Sequence, residues 1–224
     1  MDILDIIFPK TCFGCGKKGI YLCVACLARE KLDWQICPIC LKSSIIGKTH
    51  ASCRKPLGLD GLFSPWSYKR AVRKAILTMK YRFAFDIAGE LATHAAESLG
   101  AGFNPFPNRA LLIPIPVYKD RKKWRGFNQA EEVGKRLASL LKWDFDPGLL
   151  FKGRKTLAQT GLTKEQRSQN LSAAFNLKGN PFPFNGPVIL FDDVWTTGST
   201  LKEACSVLKR KGVKKVWGLT LCRG

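Results

Sequence analysis

A chain of 224 residues that is 46% hydrophobic can hold one ordinary domain plus a small module around a real core. Lys and Arg number 37 against 17 Asp and Glu, and the resulting charge of +20 exceeds what solubility needs, so it predicts a polyanionic partner, nucleic acid first. No apolar run is long enough to span a bilayer and the N-terminus carries acidic residues where an export signal needs basic ones, which predicts a cytoplasmic protein without membrane insertion.

Residues 1–8 predict one amphipathic turn, with Ile3, Ile6 and Ile7 together. Four pairs follow: Cys12-x-x-Cys15, Cys23-x-x-Cys26, Cys37-x-x-Cys40 and His50-x-x-Cys53. Nine cysteines in a reducing compartment argue for metal rather than disulfides. The four pairs supply eight ligands, the number that two tetrahedral zinc sites require. Two-residue spacing lets both side chains of a pair point into one turn, and a metal replaces the core that so short a segment cannot build. The expected grouping is Cys12, Cys15, Cys23 and Cys26 in one site and Cys37, Cys40, His50 and Cys53 in the other. An interleaved arrangement, or one occupied site, is the alternative. With every position filled by protein, such zinc ions are structural. Cys205 and Cys222 fall on an apolar helix face and in the last strand, as buried spare thiols.

Arg54 to Gly61, with Pro56 and Gly58, reads as a linker between a cysteine-rich module of residues 1–56 and a second domain of residues 62–224. Leu62 to Tyr68 predicts a strand. Lys69 to Tyr81 predicts a strongly basic helix, with Lys69, Arg70, Arg73, Lys74, Lys80 and Arg82, either a solvated face or part of a polyanion track. Asp86 to Leu99 predicts a second helix with Ile87, Leu91 and Ala95 inward and His94 in a structural role.

Leu111 to Pro116 predicts a strand ended by its prolines. It runs into a basic loop containing Lys119, Arg121, Lys122, Lys123, Trp124 and Arg125, and then into helix 128–142 with Asn128 as cap. Strand, basic loop and helix N-terminus make an anion site. Cations flanked by Trp124 and Phe127 also suit single-stranded nucleic acid, whose bases stack on aromatics. A short strand is expected within 143–153. Arg154 and Lys155 then open a polar, cationic stretch to Asn170, and Phe175 to Leu177 predicts another strand.

The most informative stretch is Val188 to Thr200. Val188-Ile189-Leu190-Phe191 reads as a parallel strand covered on both faces. Asp192-Asp193 follow, then Thr196-Thr197-Gly198-Ser199-Thr200, then a helix opened by a Thr200-x-x-Glu203 capping signal. Backbone N–H groups at that helix start, the hydroxyls and the close approach allowed by Gly198 make a phosphate seat. Carboxylates repel phosphate, so Asp192 and Asp193 should face ribose hydroxyls or magnesium. A sugar phosphate satisfies both halves. Val213 to Arg223 is the closing strand.

This stretch resembles the phosphoribosyl pyrophosphate motif of type I phosphoribosyltransferases. With the cysteine pairs, Pro114-Ile115-Pro116, Arg125-Gly126-Phe127-Asn128-Gln129, Gln159-Thr160-Gly161-Leu162 and Arg167-x-x-Asn170 in this order, nearly the whole chain is similar to the ComF family of competence proteins. The resemblance implies an α/β fold, a type I phosphoribosyltransferase-like parallel sheet flanked by helices, with a small N-terminal zinc-ribbon module. It implies a role in DNA uptake during natural transformation, beside a competence helicase or DNA-processing proteins. It further implies phosphoribosyl pyrophosphate with magnesium held by Asp192, Asp193 and residues 196–200. Lys119, Arg121 and Arg125 would take the pyrophosphate, and a flap would occupy 153–170. Single-stranded DNA would meet Arg121 to Arg125 with Arg154 and Lys155. The fold is shared by enzymes and by binding-only regulators, so transferase, sensor and DNA-handling roles stand as alternatives.

Overall fold

The computed structural model describes residues 9–79, 84–100, 105–106, 109–117, 127–153, 174–179 and 184–224. The N-terminal turn expected over residues 1–8 lies outside them. The chain opens with a cysteine-rich segment containing a short helix α1 (Val24–Ala28) and an antiparallel pair, β1 (Gln35–Ile36) with β2 (Ser43–Ser44). The body then lays down β3 (Gly61–Phe63), β4 (Trp66–Ser67), helices α2 (Arg70–Met79) and α3 (Ala84–Gly100), and β5 (Leu111–Pro114). Helix α4 (Gln129–Leu141), β6 (Asp144–Phe145) and a hairpin of β7 (Leu150–Lys152) and β8 (Phe175–Leu177) follow. Strand β9 (Val188–Trp195), helix α5 (Ser199–Arg210) and β10 (Val216–Arg223) complete the described elements.

The central sheet runs β3-β10-β9-β5-β6 with every adjacent pair parallel, and β4 continues beside the far end of β10. Parallel strands need helices on both faces, and the alternation of apolar side chains supplies them. Leu112, Ile189, Phe191, Trp217 and Leu219 enter the core shared with α2, α3 and α4. Leu111, Ile113, Val188, Leu190 and Val216 enter the core on the other face, with Leu201, Ala204, Cys205 and Leu208 of α5. The parallel, helix-flanked sheet expected from the sequence is the architecture found.

Two of the helices follow from local signals. Helix α2 buries Ala71, Val72, Ala75, Ile76 and Met79 as one stripe and leaves Arg73 and Lys74 exposed. Asn128 caps α4 through its side chain, which accepts from the Ala130 N–H at 3.1 Å. Gly134 lets α4 sit close on the sheet, since a Cβ there would lie 3.0 Å from Leu112.

The strand expected over 62–68 is broken at Ser64-Pro65. Gln35 fills the gap, donating to the Ser64 carbonyl at 3.0 Å and accepting from the Ser64 N–H at 2.9 Å. Residues 54–61 join the sheet at their end: the Asp60 N–H donates to the Val216 carbonyl at 2.8 Å, and Leu59 is buried.

The cysteine-rich segment packs on the body at two places. Around Cys12 to Leu27, buried side chains merge with Ala71, Val72, Ile76 and Leu91 in one core. Glu30, itself buried, accepts from the backbone N–H groups of Ala71 (2.8 Å) and Val72 (3.2 Å). It therefore caps α2 from 41 residues away, with its negative charge at the positive end of the helix dipole. In the opposite direction, Glu90 of α3 accepts from the N–H groups of Tyr21 and Leu22, and His94 bonds the Leu22 carbonyl at 3.1 Å. The structural role expected for His94 is this contact. Further along, Lys48 bridges Gly61 in antiparallel fashion, so the second half of the segment lies along the β3 edge.

Candidate functional site

In an open parallel sheet a crevice forms at the carboxyl ends of the strands where the order reverses. Here that place lies between β5 and β9, since the chain passes from β5 outward to β6 and from β9 outward to β10. Both stretches read from the sequence as anion sites begin at this edge. Pro114 pairs with Phe191, the Ile115 N–H donates to the Phe191 carbonyl at 2.8 Å, and Asp192 is the next residue of β9. On the β5 side, the Asn128 side chain donates to the Ile115 carbonyl at 3.0 Å. That bond pins the two flanks of segment 118–126 beside the acidic pair.

Strand β9 runs past its four apolar residues and includes both aspartates. The reason is the partner strand: Thr220 pairs with Asp192, Cys222 with Val194 and Arg223 with Trp195. Because successive side chains alternate, Asp192 lies on the face of Leu190 and Asp193 on the face of Phe191. Asp192 Oδ1 also accepts from the Asp193 N–H at 2.9 Å, and both residues are half-buried.

The turn after β9 differs from expectation in one respect. The helix begins at Ser199 with Gly198 at its cap position, and no side chain caps it; Thr200 lies inside the first turn. Gly198 has φ 71°, and a Cβ there would overlap the Trp195 indole. A glycine is therefore required by the buried Trp195 ring as well as by the left-handed backbone. Thr197 and Ser199 hydroxyls lie 2.8 Å apart, Ser199 and Thr200 are half-buried, and Thr196 is exposed. Sequence reasoning missed Lys202. Its Nζ folds back to the Thr197 carbonyl at 3.4 Å and lies 5.4 Å from the Trp195 ring centre, which puts a cation beside the hydroxyl turn. Its position one turn into an amphipathic helix gave no signal beyond a solvated lysine.

Among the other expected site residues, Lys119, Arg121, Lys122, Lys123, Trp124 and Arg125 lie outside the described residues, as do Arg154, Lys155 and the flap. Hairpin β7–β8 brackets that flap stretch, with the Gly153 N–H donating to the Ala174 carbonyl at 3.0 Å.

The expected metal ligands come together in the grouping read from the spacing. In each set, Cys12, Cys15, Cys23 and Cys26 or Cys37, Cys40, His50 and Cys53, one ligand atom per residue lies within 4.8 Å of the others. Each group could hold a metal ion. Burial works to raise the Cys12 thiol, but N–H groups of Cys23, Cys15 and Gly14 outweigh it and bring it down to about 6. Cys26, bonded to Cys23 and desolvated, is pushed up to about 12. Four sulfurs this close cannot all ionise without a cation among them, so the donor set fits a thiolate-binding metal. In the second group backbone N–H groups likewise overcome burial and lower Cys37 to about 7, while burial raises Cys53. His50 offers Nδ1 to the group, 3.4 Å from Cys40, and holds the Ser43 carbonyl with Nε2 at 3.1 Å. That second bond orients the ring as metal-ligating histidines require. Cys205 and Cys222 are buried apart from both groups, as expected.

No family model matches the chain. It is 40% identical over 112 residues to competence protein F of Haemophilus influenzae, a match spanning 48% of each protein, so about half the length of that relative. It is 28% identical to the DNA utilization protein YhgH of Escherichia coli over 96% of this chain and 97% of that one. This chain is a homologue of these proteins. Competence protein ComFC of Bacillus subtilis is similar too, 26% identical over 96% of this chain and 84% of its own length. Among solved structures, the adenine phosphoribosyltransferase of Leishmania tarentolae aligns with 67% of this chain and 73% of its own, at 13% identity and a TM-score of 0.34. At those values the likeness transfers neither substrate nor activity. Among the described residues no helix is long and apolar enough to cross a membrane.

Proposed function

We propose that this chain acts in DNA uptake, binding phosphoribosyl pyrophosphate at the β5–β9 crevice and single-stranded DNA on its basic surface. Competence and DNA utilization are what the names of its homologues say of them, and the whole-length similarity to YhgH and ComFC supports carrying that role here. The observation that carries the ligand is the meeting of two stretches at one sheet edge: Asp192-Asp193 with the hydroxyl turn, and the flanks of the basic segment 118–126.

In this reading Asp192 and Asp193 accept from the ribose hydroxyls. Thr196, Thr197, Gly198, Ser199 and Thr200 hold the 5′-phosphate with backbone N–H groups and hydroxyls. Lys119, Arg121 and Arg125 neutralise the pyrophosphate, which brings its own magnesium. If pyrophosphate departs, the two carboxylates stabilise the cation left on the sugar. Arg121, Lys122, Lys123, Trp124, Arg125, Arg154 and Lys155 would contact DNA. Zinc in the two cysteine groups supplies structural cross-links, and the residues holding it orient the segment rather than react.

Calorimetry with magnesium and phosphoribosyl pyrophosphate tests the site. Saturable heat is expected, with affinity lowered at least about a hundredfold by Asp192→Asn with Asp193→Asn, the loss of two charged hydrogen-bond acceptors. Heat unchanged by that double substitution would remove the ligand from this site. Pyrophosphate release with a candidate acceptor separates transfer from binding alone.

A further inference from the structure

Outside the crevice, the described residue pairs link into one chain of cations and aromatic rings. Lys10 Nζ lies 5.9 Å from the Tyr21 ring centre, and Tyr21 stacks on Phe13 at 5.6 Å. Lys74 Nζ lies 5.6 Å from the Phe13 ring, and the adjacent Arg73 lies 6.0 Å from the Tyr68 ring. Phe13 sits between the metal ligands Cys12 and Cys15, whereas Tyr68 and α2 belong to the body. The ladder therefore crosses the junction between the two parts of the protein.

Its charge is one-sided. Residues 9–79 contain thirteen Lys and Arg against three acidic residues. Glu30 is buried under the start of α2 and Asp60 is paired with Lys209 at 2.7 Å, which leaves Asp33 as the exposed acidic residue of the three. Asp86 meets Lys10 at 3.1 Å at one end, and Lys17, Lys18, Lys69 and Arg70 are exposed alongside. The other end reaches the candidate site. The Tyr68 N–H donates to the Arg223 carbonyl at 2.8 Å, and Arg223 pairs with Ser67 on one side and Trp195 on the other. Tyr68 thus begins about two strand spacings, roughly 10 Å, from the end of β9.

We infer that this ladder is a binding track for single-stranded nucleic acid, leading from the β9 edge across α2 to the first cysteine group. The inference rests on the proposed DNA-handling role and adds a second contact face to the loop residues named for it above. Rings under the cationic chains hold the head groups in place, which lowers the side-chain ordering cost of meeting phosphates. Phe13 and Tyr68 are half-buried and offer stacking surface to the bases of a single strand, while Tyr21 is buried and backs Phe13.

The test is anisotropy of a labelled oligo-dT, titrated with the full-length protein at several salt concentrations. Arg73→Glu with Lys74→Glu should lower affinity at least tenfold and flatten the salt dependence by about 1.4 in log–log slope, two phosphate contacts on a single strand. Lys211→Glu with Lys214→Glu changes net charge equally on exposed residues at the amino end of β10, and should cost less than threefold. Circular dichroism confirms that both variants remain folded. Equal losses in the two variants, or none in the first, would overturn the track while leaving DNA binding intact. Wild-type protein that ignores oligo-dT at low salt, or prefers anionic vesicles, would remove the DNA-handling role and the track together.

Discussion

The two cysteine groups have the same ligand count and different surroundings. Cys12, Cys23 and Cys26 are buried, and their loops share a core with α2 and α3, reinforced by Glu30, Glu90 and His94. The second group lies along the β3 edge on a backbone bridge, with Leu41 and Ile45 exposed at 51% and 84%. It also carries strain: Leu41 and Ile46 have φ of 64° and 49°, a region that costs a branched or bulky side chain about 1–2 kcal/mol. The same set of four candidate ligands can thus sit inside the body or along its rim. What distinguishes them is how much apolar surface and how many carboxylates each recruits.

Removing one ligand from each group should break this comparison most sharply. Cys26→Ser is expected to abolish a single cooperative thermal transition, because α2 and α3 lose the surface they pack on. Cys40→Ser should leave the transition in place and lower its midpoint by several degrees, and metal assay should fall from two ions per chain to one. Equal effects would show that the two groups are not different in kind. A sharper probe of the second group is Gly47→Ala. Gly47 has φ 79°, and a Cβ there would overlap the Leu62 carbonyl, so the second group must lift from β3 at a cost of about 3 kcal/mol or more. Urea unfolding and hydrogen exchange at Gly61 to Phe63 would report it. The smallest pair of effects has opposite signs. Glu30→Gln weakens a buried charged cap and should destabilise by about 1–3 kcal/mol, whereas Leu41→Gly relieves a left-handed residue and should stabilise by up to about 1 kcal/mol. Both are read as shifts in urea midpoint.

What the sequence revealed was local. Cysteine spacing within one turn marked the two groups that could hold a metal ion, apolar runs marked β5 and β9, and Asn128 announced its helix by a side chain two residues from its partner. Contacts spanning the chain left no such mark. Glu30 drew no reading from the sequence, because the N–H groups it caps lie 41 and 42 residues on. The Thr200 cap failed because the Trp195 ring sets the turn, and no pattern in the sequence shows where an indole lies. Strand β9 outran its apolar stretch because β10 continues beside it, and the break at Ser64 was invisible without Gln35 across from it. The acidic pair and the hydroxyl turn were legible; Lys202 was not.

The strand order constrains how the molecule can be assembled. The first strand of the sheet lies beside its last, with Ser64 and Thr220 hydroxyls 2.6 Å apart across 156 residues of chain. On a ribosome the cysteine knuckles could close early, but the strand they lie along has no inner neighbour until β10 is made. A nascent chain would therefore expose an unpaired edge through most of its synthesis, and translation speed should govern how much of it reaches the native state.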